Sequence, residues 1–213
     1  MRYWEEWTDS NFAGINMKTI SLATASVCFL LGGCLTSTAP FYLDDQIVQD
    51  ERLLGTYPNR NAGHTWLVEK SKSLDEPKKY VATLKNGGGW STYSLTLFKI
   101  GNTLFLDAYP KTDSSVARDP GGPPTMSEIM RELTCQKLHV VLLVVPTDKK
   151  LEFRMLSRKG MEYLLKRNEV VPKPDAEGIF ITSRSTKDLQ KLLVELATDP
   201  QMFESIPEQM KPQ

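Results

Sequence analysis

Residues 91–109 read STYSLTLFKIGNTLFLDAY, and this stretch carries the clearest structural signal of the chain. Polar and apolar side chains alternate through much of Ser91–Ile100, which is the period of a half-buried β-strand. Thr103–Tyr109 follows as a second, mainly apolar strand. Between the two segments, Gly101-Asn102 has the chemistry of a tight two-residue hairpin turn. The stretch therefore predicts two antiparallel strands that follow each other directly in a sheet.

Further strand-like segments lie in both directions along the chain. The segment at 138–145 (LHVVLLVV) is the most apolar one after Cys34, which indicates a strand buried on both faces. Eight strands are expected in all, and the remaining six lie at Leu53–Tyr57, Thr65–Glu69, Lys79–Lys85, Leu138–Val145, Leu151–Leu156 and Gly178–Thr182.

Helical spacing is found only later in the chain. Ser157 and Ser185 are suited to cap two helices, and a short helical turn is expected from Asp199. Thr125 and Glu128 have the spacing of a capping box, which predicts another short helix after the Pro- and Gly-rich connection at 111–125. That connection is long enough to border the mouth of a barrel.

These elements indicate a mainly β fold. We expect an antiparallel meander that forms a small barrel or a curved sheet, with two to three short helices toward the C-terminus. A barrel of about eight strands is large enough to hold one small ligand, or it can be filled by its own side chains.

A different signal stands at the other end of the chain. Leu31-Gly32-Gly33-Cys34 follows the uncharged run 20–31, and together they have the form of a bacterial lipoprotein signal with its lipobox. The run is too short to span a bilayer as a helix, which takes about 20 apolar residues. The alternatives are a plain secretory signal with an incidental cysteine, or a short membrane helix.

The lipobox predicts the domain organisation. Residues 1–33 would be the signal peptide, residues 34–50 a tether, residues 51–206 one domain, and residues 207–213 a frayed tail. Residues 1–16 carry three acidic residues against one arginine, which does not suit a signal's start. We therefore expect Met17 to be the true start.

Cys34 is the expected lipidation site and the membrane the expected partner. Its thiol would carry a diacylglyceryl group whose acyl chains, such as palmitate, contribute about 0.8 kcal/mol of membrane affinity for each buried CH₂. Leu35 follows the cysteine in place of the Asp that commonly marks retention in the inner membrane. This favours the periplasmic face of the outer membrane if the host is Gram-negative.

The composition limits other functions. The chain has 26 basic and 26 acidic residues, so no excess charge favours nucleic acid or an anionic surface. If Cys34 is lipidated and Cys28 removed, Cys135 has no partner for an intramolecular disulfide. Two histidines and no cysteine cluster predict neither a metal site nor a cofactor.

Asp107 is the most interesting ionisable residue because it lies in an apolar strand on the same face as Phe105 and Tyr109. If that face points inward, Asp107 could act as an acid or bind the polar group of a ligand, and His139 could serve as a base. The alternative is a solvent-facing Asp, or one bonded to a turn. Aromatic side chains could face a ligand or serve as core, and the candidates are Phe105, Tyr109, Trp66 and Tyr93.

The helix at 158–167 (RKGMEYLLKR) combines an apolar stripe with several positive charges. It could lie against an anionic membrane near the anchor, or it could present a solvated face while packing on the sheet.

Leu54-Gly55-Thr56-Tyr57 resembles the Gly-x-Trp entry of lipocalin-like barrels, with Tyr57 at the Trp position. Together with other spaced elements, it is similar to a group of uncharacterised bacterial lipoproteins over most of residues 50–205. The other elements are Tyr80, residues 105–110 (FLDAYP), residues 138–140 (LHV) and residues 186–190 (TKDLQ). The resemblance implies a membrane-anchored, lipocalin-like protein and carries no activity with it.

Three hypotheses about function follow. The first is a non-enzymatic, lipid-anchored barrel that binds a small apolar ligand or docks an envelope protein. The second is a structural or protein-interaction lipoprotein with a filled barrel. The third is an enzyme that uses Asp107 and His139; it has no recognisable nucleophile motif to support it.

Overall fold

The computed structural model describes residues 34–59, 64–86, 89–111, 137–148, 150–172 and 179–206. In this part of the chain, eleven strands form one mixed sheet. The strands are β1 (Cys34–Ser37), β2 (Gly55–Asn59), β3 (His64–Lys70), β4 (Tyr80–Asn86), β5 (Gly89–Ile100), β6 (Thr103–Pro110), β7 (His139–Pro146), β8 (Leu151–Leu156), β9 (Val171–Pro172), β10 (Ile179–Thr182) and β11 (Phe203–Ser205).

All eight predicted strands are present, and the predicted antiparallel meander is confirmed for seven of them, β2 to β8, which pair in chain order. The eighth, β10, lies outside the meander and runs parallel to β1, so the sheet is mixed and not wholly antiparallel. The β5–β6 hairpin pairs Ile100 with Thr103, so Gly101-Asn102 forms its turn as expected. Gly101 has a φ of 59°, a conformation that glycine adopts without steric cost.

Two α-helices and three 3₁₀ helices complete the described fold. Ser157 caps helix α1 (Arg158–Lys166) by accepting the Gly160 N–H, and Ser185 caps helix α2 (Thr186–Ala197) by accepting the Asp188 N–H. The 3₁₀ helices span Asp44–Gln46, Glu51–Leu53 and Pro200–Met202, and the last of these confirms the turn predicted after Asp199. Neither α-helix, nor any other helix in the described ranges, is long and apolar enough to cross a bilayer.

Strand β1 was not predicted, and the expected tether over residues 34–50 is wrong. All four residues of β1 are buried, and the strand lies between β7 and β10, parallel to β10. Leu35 and Phe41 are almost completely buried. Because both faces of β1 are covered, it shows no alternation of polar and apolar residues, and the domain therefore includes residues well before position 51.

The sheet is not closed into a barrel, so that part of the predicted fold is wrong. Strand β7 has β6 on one edge and divides the other edge: Thr36 and Ser37 of β1 pair with its first residues, while β8 pairs with its last. The sheet therefore forks at β7, with one branch through β1, β10 and β9 and the other through β8 and β11. Within the described residues, no ladder joins β2 to β8.

Each face of the sheet has its own hydrophobic core. Alternate residues of β6, such as Leu106 and Ala108, belong to the first core, which is made mainly by strands. Phe105 belongs to the second core, where α1, α2 and the segment around Phe41 cover the sheet. The middle of β6 is therefore buried on both faces.

Some expectations lie outside the described residues. These are the signal peptide at 1–33, the helix expected to begin at Thr125, most of the connection at 111–125, and the tail at 207–213.

Candidate functional site

An apolar pocket lies in the first core. It has a volume of about 120 Å³, and only apolar atoms form its surface. Its wall takes residues from each of the strands β1 to β8, with further contributions from the 3₁₀ helix Glu51–Leu53 and from Ile206. Residues two apart in each strand point to the same face of the sheet. The curvature of the sheet brings these side chains together around the pocket.

The two margins of the meander meet at this pocket through their side chains. The rings of Tyr57 on β2 and Phe153 on β8 contact each other edge to face. The Arg52 guanidinium, which precedes β2, donates to the Thr147 carbonyl in the turn before β8 at 2.5 Å. Side chains thus close the gap that the backbone ladder leaves open, and the pocket has an aromatic wall on this side.

Tyr57 stands at the Trp position of the Gly-x-Trp motif that the sequence resembles. Its hydroxyl donates to the Leu53 carbonyl at 2.7 Å, and its ring lines the pocket. Burial raises the pKa of Tyr57 to about 12, because the charged phenolate would lose its hydration. Gly55, two residues earlier, has a φ of 139°, which other residues adopt only under strain.

The structure separates the five predicted ligand-facing residues. Trp66 lines the pocket, and its ring contacts that of Tyr93 with centroids 5.3 Å apart. Tyr93 is buried in the same core but is not part of the pocket wall.

Phe105, Asp107 and Tyr109 lie on the opposite face of β6 and are not part of the wall of this pocket. The pocket is instead bordered by the alternate residues Leu106 and Ala108. The sequence shows which residues share a face. It does not show which face borders the pocket, because both faces are buried.

Asp107 is nevertheless neither solvent-facing nor bonded to a turn. It is 1% exposed, and its carboxylate accepts the Phe41 N–H at 3.1 Å and faces His139 Nδ1 at 2.8 Å. The Tyr109 ring packs against the His139 ring with centroids 4.4 Å apart. We call Asp107, His139, Tyr109 and Phe41 the carboxylate cluster. It attaches the segment after β1 to the sheet.

The carboxylate cluster has part of the arrangement of a hydrolase site. An Asp that orients His Nδ1 leaves Nε2 as a base, and Ser37 lies directly opposite His139 in the β1–β7 ladder. Ser37 is fully buried, however, and its Oγ accepts the Ala39 N–H. A substrate therefore has no access to the Ser37 hydroxyl. The cluster attaches the backbone after β1 to the sheet, and it does not present Ser37 as a nucleophile.

Cys34 is part of the pocket wall. Its side chain is 5% exposed, and burial raises the pKa of its thiol to about 11 because the thiolate would be poorly solvated. Sequence reasoning found this residue through the lipobox, but not its place in the sheet. No polar–apolar alternation marks residues 34–37 as a strand.

The basic residues of α1 are largely paired with acidic neighbours. Arg158 contacts Glu162, Lys159 contacts Asp199, and Arg167 contacts Glu195. Met161 and Leu164 of the same helix are buried in the second core. This favours the interpretation of α1 as a helix that packs on the sheet and presents a solvated, charge-paired face, over a helix that lies against an anionic membrane.

Among the described residues, no group of His, Cys, Asp and Glu side chains is arranged to hold a metal ion. No protein-family model, curated protein or solved structure matched this chain.

Proposed function

We propose that this protein is a non-enzymatic bacterial lipoprotein, anchored in the cell envelope through Cys34, that binds a small apolar ligand in its pocket. One observation carries the proposal: a space of about 120 Å³ remains in the first core, and its surface is entirely apolar. Well-packed protein interiors contain few voids larger than a water molecule. A dry apolar space of this size favours an apolar guest over water.

The volume restricts the ligand. An engineered apolar cavity of about 150 Å³ binds benzene, whereas pockets for drug-sized molecules measure about 300–1,000 Å³. The proposed ligand is therefore about as large as one aromatic ring, or it is the apolar end of a longer molecule. The rings of Tyr57, Trp66 and Phe153 in the wall suit either guest.

Toluene tests this proposal directly. We expect saturating toluene to raise the melting temperature of the unlipidated full chain, because a ligand that binds only the folded state stabilises it. Ala108→Leu places a larger side chain in the pocket and should abolish the rise, whereas Ser183→Leu adds the same side chain at an exposed position and should keep it. An unlipidated chain that toluene does not stabilise would contradict ligand binding.

The lipobox supports the anchor, and with it the proposed location at the periplasmic face of the outer membrane in a Gram-negative host. Mass spectrometry of the protein from bacterial membranes should find acyl chains on Cys34. Cys34→Ala should leave the membrane fraction after high-salt washing. A variant that still fractionates with membranes would rule out Cys34 as the anchor.

The non-enzymatic character is supported by the burial of the carboxylate cluster. Asp107 and Ser37 are buried, and they form hydrogen bonds with backbone groups and with His139. His139→Gln should therefore leave toluene binding intact. Any decrease in the free energy of unfolding should come only from the lost contact between His139 and Asp107.

A structural or protein-interaction lipoprotein is the second candidate. The first core is already well filled, with Tyr80 and Tyr93 among its largest fully buried side chains, and the remaining space is small. If toluene fails to bind, isolation of one stable envelope partner, lost when the exposed face of α1 is altered, would favour this alternative.

A further inference from the structure

The proposed anchor residue and the proposed ligand site meet at one side chain. Cys34 is the residue that the lipobox marks for lipid, and it is also part of the pocket wall. A tether of the expected kind would have separated the membrane from the domain by many residues. The structure instead places the attachment point at the pocket itself.

The chain just after Cys34 is fixed in the sheet. Leu35 is 1% exposed in the second core, and the Thr36 hydroxyl donates to the Phe180 carbonyl at 3.0 Å. Thr36 and Ser37 are paired with both β7 and β10. An extended residue spans at most about 3.6 Å, so a lipid on Cys34 holds the pocket close to the bilayer surface.

Cys34 is held less firmly than the residues that follow it. It pairs with Ile179 of β10, whereas the β7 ladder begins only at Thr36. A lipidated Cys34 can therefore turn away from the wall while Leu35 and the rest of β1 stay in place. This movement would leave apolar wall atoms of the pocket beside the glyceryl group.

Polarity decides which part of a lipid fits there. The pocket surface offers no polar atom to the ester groups of a glyceryl unit, and burying an unpaired polar group is unfavourable. Each acyl CH₂ that enters the pocket is removed from water, which is favourable. Ester groups therefore remain outside, and a hydrocarbon chain is the part of the lipid that enters.

We propose that the ligand of the pocket is the end of a fatty-acyl chain from the lipid immediately around the Cys34 anchor. This inference rests on the proposed function, since it needs both the anchor and the pocket. The chain comes from a neighbouring bilayer lipid or from the anchor itself, and the chemistry of recognition is the same for both.

Tryptophan fluorescence can report contact with the chain. Trp66 lines the pocket, whereas Trp90 is 56% exposed, and Trp4 and Trp7 precede Cys34 and would be removed with the signal. The lipidated protein with Trp90→Phe therefore has Trp66 as its sole tryptophan. In vesicles of phosphatidylcholine brominated on one acyl chain, we expect Trp66 to lose most of its emission relative to unbrominated vesicles. The matched Trp66→Phe protein, with Trp90 alone, should lose much less.

A second measurement separates the two sources. If the anchor's own chain fills the pocket, brominated lipid will not quench Trp66, and toluene will stabilise the unlipidated Cys34→Ser chain but not the lipidated protein. Quenching of Trp66 assigns the site to a bilayer lipid. Either result supports the inference.

The inference is overturned if Trp66 is not quenched more than Trp90 and toluene raises the melting temperature of the lipidated and unlipidated proteins equally. The proposed ligand site would then remain, without its lipid. Failure of toluene to stabilise the unlipidated chain is a different result, because it removes the ligand site itself.

Discussion

The rings of Tyr57 and Phe153 lie edge to face, with their centroids 6.5 Å apart, across the gap between β2 and β8. These strands are the margins of the meander, and no backbone ladder connects them in the described part of the sheet. In a barrel, backbone hydrogen bonds would join these two strands. Here the contact between the two rings joins them instead.

Phe153→Ala should remove one side of this closure. We expect the free energy of unfolding to fall by about 2–3 kcal/mol, less than for a fully buried Phe, because Phe153 is only partly buried. Urea denaturation measures the change. Leu74→Ala is the control, since Leu74 is 95% exposed and its truncation should change stability by less than about 0.5 kcal/mol. Equal effects of the two substitutions would show that the ring contact does not stabilise the fold.

Tyr57 should make stability fall at alkaline pH. In the unfolded chain a tyrosine ionises near pH 10, but the pKa of folded Tyr57 is raised to about 12. Its contribution is fully present below pH 10 and is lost as the pH rises toward 12, because the unfolded state releases its proton first. Tyr57→Phe should therefore lose less stability than the wild type between pH 10 and 12.

The measurement is urea unfolding of both proteins at several pH values. Cys34, whose pKa is raised to about 11, adds a similar loss that begins at lower pH in both proteins, so the difference between the two curves isolates Tyr57. Parallel curves up to pH 12 would contradict the raised pKa of this tyrosine.

Asp107→Ala should destabilise the protein by about 3 kcal/mol, because the Phe41 N–H and the His139 ring both lose a buried acceptor. Asp107→Asn should cost less, since its amide oxygen can still accept one of these bonds. Chemical denaturation at neutral pH measures both, with Asp75→Asn at an exposed position as the control. A double-mutant cycle with His139→Gln should show coupling, and strictly additive effects would mean that the two side chains do not interact.

Leu35→Ala tests whether the segment after the lipobox belongs to the fold. Leu35 is 1% exposed, so truncation should cost about 2–5 kcal/mol. Leu43→Ala, at a residue that is 48% exposed, is the matched control and should cost less than about 1 kcal/mol. If thermal unfolding finds both variants as stable as the wild type, residues 34–50 act as the tether that the sequence suggested.

The meander could be predicted from the sequence because each of its strands keeps a visible cue. Ser91–Ile100 alternates over much of its length, Gly101-Asn102 marks the turn, and the largely apolar segment at 138–145 indicates a strand covered on both faces. These cues are local, and the strands pair with their neighbours in the chain.

The fork and the pocket could not be predicted in the same way. The position of β1 depends on contacts with residues more than a hundred positions away, such as Cys34 with Ile179, and its short buried sequence lacks a period. For Asp107, the pattern correctly gave the face shared with Phe105. Only the packing of α2 and Phe41 against that face shows that it lies away from the pocket.

The central position of β1 sets an order for folding. Residues 34–37 precede the other described strands in the chain, yet their ladder partners are residues 139–140 and 179–182. The meander from β2 to β8 can form early, because its strands pair with their neighbours in the chain. Strand β1 lacks part of its pairing until residues 179–182 are in place. Its insertion between β7 and β10 is therefore a late step, and until then the apolar side chain of Leu35 is exposed to aggregation.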